Sequence, residues 1–174
     1  MYKIFLVMIL SLGLNAYSLV LKSGEIKAHT EVFGDSTINP STKLIESKLT
    51  SSGSIESIKG SISINPLSLK SDSESRDEHM HALLKSDEKL VIMVNIISIT
   101  KKEERYVVHA SLTLNGVTKE IESIADISDM NDNVNLRGKF NINLTSYNIT
   151  PPSLVFFDVR DQIDIIYNLV YTKG

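Results

Sequence analysis

From residue 25 onward, apolar and polar side chains alternate with a period of two, the spacing of half-buried strands. The first run is Glu25 to Phe33, with Ile26, Ala28, Thr30 and Val32 on one face and Glu25, Lys27, His29 and Glu31 on the other. Gly34-Asp35 and Asn39-Pro40 break it. A second run covers about Thr42 to Thr50 and turns at Ser51-Ser52-Gly53. A third runs from Ser54 to about Ile64, with Ile58, Gly60, Ile62 and Ile64 in phase. A glycine inside a strand points to a bulge or a tight bend. The fourth, Leu90 to Thr100, is nearly continuous in apolar β-formers and reads as buried on both faces. The fifth, Tyr106 to Leu114, puts Tyr106, Val108, Ala110, Leu112 and Leu114 inward. Asn115-Gly116 then predicts a type I′ hairpin, because both residues tolerate positive φ. The sixth run is Val117 to Ile127, with Val117, Ile121, Ala125 and Ile127 in phase; Asp129 to Asn133 is a turn cluster. The seventh, Val134 to Leu144, alternates Val134, Leu136, Phe140 and Ile142 with Asn135, Arg137, Lys139 and Asn141. After Pro151-Pro152 the eighth, Ile163 to Tyr171, places Ile163, Ile165, Tyr167, Leu169 and Tyr171 on one face.

One stretch breaks the pattern. Ser71 to Lys89 is polar and does not alternate. Ser75 and Glu78 stand at capping-box spacing, and Met80, Leu83 and Leu84 recur at helical spacing, which predicts a short helix over about Arg76 to Leu84. Many strands in hairpin order make an antiparallel sandwich or barrel. Eight strands can close, and closure removes the exposed edges that invite aggregation. No internal repeat or second domain is visible, and 174 residues suit one domain.

The first eighteen residues stand apart. Lys3 gives a positive start, Ile4 to Leu14 is almost wholly apolar, and Ala16-Tyr17-Ser18 sets small residues where a signal peptidase reads. The apolar run is shorter than the roughly 20 residues a membrane span needs. Residues 1–18 are therefore read as a cleaved secretory signal and 19–174 as the mature domain, periplasmic or secreted. Its 17 basic and 21 acidic residues give a net charge of −4, against −3 for the whole chain. That balance argues against nucleic acid and anionic membranes as partners. The absence of cysteine excludes both a disulfide scaffold and a lipid-anchored lipoprotein, so no stable membrane anchor is expected.

Three segments together resemble the YceI-like family, the polyisoprenoid-binding, lipocalin-like proteins. They are Ile58-Lys59-Gly60-Ser61-Ile62 leading to Ser68-Leu69; Ser75-Arg76-Asp77-Glu78-His79-Met80, similar to the family's Arg-Asp-x-His-Leu/Met signature; and Leu112-Thr113-Leu114-Asn115-Gly116-Val117-Thr118-Lys119, similar to its hairpin. The chain departs from the pattern at Lys89-Leu90, where a proline is usual, and over Asn143 to Ile149, which lacks the usual arginine. The N-terminal strand matches only loosely. The resemblance implies an all-β, eight-stranded antiparallel lipocalin-like barrel with one or two short helices. It also implies an elongated apolar cavity for an isoprenoid or fatty amphiphile.

On that reading the cavity is lined by Ile26, Ala28, Val32, Ile62, Val108, Ala110, Leu112, Phe140, Ile142, Ile165 and Tyr167. Small inward residues such as Ala28 and Ala110 leave space that larger ones would fill. Arg76, Asp77 and His79 are candidates for the mouth or for a ligand head group. For Arg76-Asp77 the alternative is a structural tie between helix and strands, given the preference of Asp for helix starts. Glu78-His79-Met80-His81 does not make a metal site, because positions two apart on a helix face different ways and no further ligands follow at zinc-like spacing. No nucleophile–base pairing is evident, so no catalytic residue and no cofactor is expected. The alternative function is a secreted, non-enzymatic β module that binds a protein partner through an exposed face. A homodimer stays open on the sequence.

Overall fold

The computed structural model describes residues 16–32, 35–85, 91–154 and 157–174. Most of the secretory stretch, Phe33-Gly34 and Lys89-Leu90 lie outside them. Eight long strands dominate: β1 Tyr17–Val32, β4 Ile45–Ser51, β5 Lys59–Ile64, β6 Ile92–Lys102, β7 Arg105–Leu114, β8 Val117–Met130, β9 Asn133–Asn143 and β12 Gln162–Lys173. Short strands β2 Asp35–Ile38, β3 Ser41–Thr42, β10 Ser153–Leu154 and β11 Phe157–Asp158 decorate them. Each long strand pairs antiparallel with its neighbours in the order β1-β4-β5-β6-β7-β8-β9-β12. β12 returns to β1 from Leu19↔Lys173 to His29↔Asp164, so the sheet closes into an eight-stranded barrel.

The alternation in the sequence becomes an inside and an outside. Tyr106, Val108, Ala110, Leu112 and Leu114 of β7 are all buried, as their spacing predicts. β6 corrects the expectation of burial on both faces: Ile97 is half exposed. The ladder to β7 slips between Ile96 and Ser98, so Ile97 is an extra residue in a bulge and the inward phase jumps from Ile96 to Ile99. The phase change is what made the run look uniformly apolar. The third run also begins later than its sequence suggests. Ile55–Ser57 is a 3₁₀ turn held by serines, and Gly60 adopts φ +123° where a Cβ would strike the Lys48 carbonyl.

The helix, α1, spans Glu74–Leu83. Its cap is Ser73, not the Ser75–Glu78 box: Ser73 is extended and its hydroxyl accepts from the Arg76 N–H at 3.4 Å. Glu74 and Asp77 then place negative charge in the first turn, where the helix dipole favours it.

The barrel's two halves differ. Toward one end, Leu19, Leu49, Ile58, Tyr106, Val134 and Tyr171 fill the interior. Toward the other, Ile64, Leu69, Leu112, Leu114, Ile142, Tyr147 and Ile149 form a second cluster against Met80 and Leu83 of α1.

Candidate functional site

The half of the barrel beneath α1 is hollow. Its cavity measures about 400 Å³, and its walls are apolar. This lies within the range of small-molecule sites. All eleven wall residues read from the sequence line it: Ile26, Ala28, Val32, Ile62, Val108, Ala110, Leu112, Phe140, Ile142, Ile165 and Tyr167. None of the six residues named above as filling the opposite half does, so the cavity stops short of them, while Ile96, Val108, Leu136 and Leu169 of the same cluster form its floor.

Other wall residues escaped the sequence reading. Ile92, Val94 and Ile96 come from β6, where the bulge hid the inward phase. Ile38, Pro40, Ile149 and Pro152 come from loop and edge segments with no periodicity to betray them. Met80, Leu83 and Leu84 did carry a signal, their helical spacing; they form the roof.

Arg76, Asp77 and His79 also border the cavity. Asp77 is buried, and its carboxylate accepts from both the backbone N–H and the hydroxyl of Ser71, each at 2.8 Å. Lys70 Nζ lies 3.7 Å away. Burial would raise the Asp77 pKa, but the two Ser71 hydrogen bonds, with Lys70 and His81 near, hold it below 3.8. His81 Nε2 stands 2.9 Å from the Leu69 carbonyl, which can only accept, so Nε2 carries the proton. Asp77 and His81 thus fasten α1 to the strand-exit segment Leu69–Ser71, the structural role weighed for Asp77. Arg76 turns outward to Asp72 at 3.0 Å.

Two tyrosine–serine pairs cross the interior. Tyr167 Oη lies 2.9 Å from Ser123 Oγ, and Ser123 donates to the Lys139 carbonyl at 3.1 Å. Ser123 has one proton, so Tyr167 donates to Ser123. Gly138 makes this arrangement fit, since a Cβ there would collide with the Tyr167 hydroxyl and ring. Lower down, Tyr171 Oη pairs with Ser47 Oγ at 3.0 Å. Burial pushes the Tyr171 phenol up to about 12 and raises that of Tyr167 too. Thr30 Oγ1, on the cavity wall, is buried without a hydrogen-bond partner.

The model of the YceI-like domain matches residues 17–171. The chain belongs to the YceI-like family. Solved structures of low identity share the barrel. BcnA of Burkholderia cenocepacia superposes with a TM-score of 0.75 at 13% identity, covering 86% of this chain and 96% of that one. A polyisoprenoid binding domain from Saccharophagus degradans, implicated in plant cell wall breakdown, gives 0.70 at 12% identity, covering 91% and 98%. The Campylobacter jejuni YCEI protein gives 0.64 at 18% identity, covering 76% and 82%. No curated protein matches the chain by sequence. Within this YceI-like barrel, no group of three or more His, Asp or Glu among the described residues is placed to hold a metal ion. No helix among them is long and apolar enough to cross a membrane.

Proposed function

We propose that this YceI-like protein binds an isoprenoid or fatty amphiphile in its barrel cavity and carries or sequesters it. The observation that supports this reading most is the apolar lining of about 400 Å³ of space. A core of this size normally packs to crystal-like density, so an apolar hollow is maintained for something that fills it. Each buried CH₂ contributes about 0.8 kcal/mol, and roughly ten to fifteen of them give on the order of 8–12 kcal/mol before the cost of association. Thr30 Oγ1 offers a hydrogen bond to the ligand's polar end. The protein named for polyisoprenoid binding shares the fold and lends the ligand class by analogy.

We further infer that residues 1–18 direct export, which places the barrel in the periplasm or outside the cell. Tyr17 and Ser18 of β1 pair with Ser51 and Thr50 of β4, so the mass of the exported chain will also tell whether those pairings survive processing.

The partner-binding alternative needs a continuous apolar outer face. Ile124 and Ile166 are half exposed there, but Lys139 pairs with both and Lys27 flanks Ile166, which breaks the row.

The test is native mass spectrometry of the purified protein followed by organic extraction. The expected result is a stoichiometric amphiphile, lost on denaturation. The Ala110→Phe variant, which fills the cavity from its wall, should keep its melting temperature and lose the ligand. An apo mass that stays unchanged after incubation with isoprenoid and fatty lipids would overturn the reading.

A further inference from the structure

The barrel wall is incomplete beside the cavity. The β8–β9 ladder runs from Met130↔Asn133 only as far as Ile124↔Lys139. Beyond that point Val117–Ser123 of β8 pairs with β7 alone, and Phe140–Asn143 of β9 pairs with β12 alone. The interruption has defined ends. At the inner end, Ser123 Oγ donates to the Lys139 carbonyl in place of the next backbone bond. At the outer end, Asn115 of the β7–β8 turn donates to the Tyr147 carbonyl at 3.0 Å. Between them lies a slot whose lip is about 20 Å long on β8 (Val117–Ser123) and about 10 Å on β9 (Phe140–Asn143), from the rise per residue of a strand.

Burial along β8 follows the slot. Ala125 and Ile127, on the inward face beside the ladder, and Ser123, just past its end, are buried. Val117 and Ile121, on the same face beside the slot, are only half buried. Lys119 pairs across β7 with Leu112, and directly paired residues share a face; Leu112 is buried on the wall, while Lys119 is exposed. The cavity reaches both lips, since Ile121 and Ser123 line it from β8 and Phe140 and Ile142 from β9.

The barrel has a second interruption, between β1 and β4, and it is plugged. Ile45 and Leu169 side chains occupy the space a Cβ on Gly24 would need, pairing resumes where Ile26 meets Thr42 of β3, and no residue of β4 lines the cavity. The end under α1 is roofed and latched by Asp77 and His81.

We propose that the β8–β9 slot is a lateral portal through which a chain-bearing amphiphile enters and leaves the cavity. The proposal rests on the carrier reading above and adds the route. Widening the slot breaks no backbone ladder, because none spans it, whereas opening the roof breaks the Asp77 and His81 bonds. Entry between two strands also suits an elongated ligand, whose tail can slide in sideways along the slot.

The chain has no cysteine, so introduced pairs have no competitors. Extending the register places Glu122 opposite Asn141, both exposed. Glu122→Cys with Asn141→Cys, closed by a disulfide or, where the Cα separation exceeds about 7 Å, by a short bis-maleimide, pins the slot. Asp126→Cys with Arg137→Cys pins a point where the ladder already exists and is the control. Uptake of the polyene fatty acid cis-parinaric acid is followed by stopped-flow fluorescence, and saturation is measured at equilibrium. The slot lock is expected to slow uptake at least tenfold, with recovery on reduction of the disulfide, while the control lock leaves the rate unchanged. Equal rates in the locked and open forms, with normal saturation, would overturn the portal and leave the carrier reading standing. No saturation in the open protein would overturn both.

Discussion

At the residue scale, the cavity's shape depends on one glycine. Gly138 lies across from Tyr167 on β12 and from Ala125 on β8, and its missing Cβ lets the tyrosine hydroxyl reach Ser123. Gly138→Ala should destabilise the protein by about 1–3 kcal/mol through overpacking. Tyr167→Phe alone should cost about 1 kcal/mol for the lost hydrogen bond. The double variant Gly138→Ala/Tyr167→Phe should show no rescue, because the added Cβ also collides with the ring carbon that carries the hydroxyl. Urea denaturation of the three variants measures this; a rescued double variant would mean that the hydroxyl alone sets the fit. The glycine's role could not be read in advance. The sequence shows Gly138 in an inward position but not which side chain from another strand needs the room.

At the scale of elements, α1 is attached to the barrel by few polar ties, and Asp77 is the main one. Its carboxylate sits below the ordinary value, so the stability it contributes is present above pH 4 and is lost as pH falls through its folded pKa. Asp77→Ala should cost about 1–3 kcal/mol by leaving the Ser71 N–H and hydroxyl, both of which donate to Asp77 Oδ1, without their acceptor. The loss should be local. Hydrogen exchange read by mass spectrometry should quicken over residues 71–84 and stay unchanged in β7 and β9. Uniform acceleration would show that α1 and the barrel unfold together.

These elements also show where sequence reasoning reaches and where it stops. The long strands were legible because a one-sided environment writes a period of two into the sequence, although β1 was read only from Glu25 and begins at Tyr17, with both faces of its second half partly buried. β7, clean in its alternation, is clean in its burial. β6 was misread because a bulge shifts the phase in mid-strand, and the four short strands were missed because two to four residues carry no period. The helix was found from Met80, Leu83 and Leu84, but its cap was misplaced, since Ser73 and Ser75 are both plausible caps by residue type. The β8–β9 slot was invisible: Val117–Ser123 alternates just as the paired part of β8 does, and sequence does not record where a partner strand ends.

At the scale of the whole molecule, the division of labour between the two halves makes a prediction about alkaline stability. The closed half holds Tyr171, fully buried and paired with Ser47, with its phenol pushed up to about 12 by burial. An unfolded tyrosine titrates near 10. Between these values the folded state keeps a proton that the unfolded chain releases, so stability is complete below pH 10 and falls as pH rises toward 12. A shift of this size corresponds to about 3 kcal/mol. Tyr147 and Tyr167, also raised, push the same way. Tyr171→Phe removes the largest of these ionisations. The variant should be weaker near neutral pH by about 1 kcal/mol, from the lost hydrogen bond, and its stability should then fall less steeply above pH 10. Denaturation midpoints taken at pH 7, 9, 10 and 11 on wild type and variant would separate the two effects. Parallel curves would mean that the Tyr171 phenol is no harder to ionise in the folded base than in the unfolded chain. Converging curves would show that the folded base holds the Tyr171 proton, so that packing around this phenol, away from the cavity, contributes to the stability of the barrel.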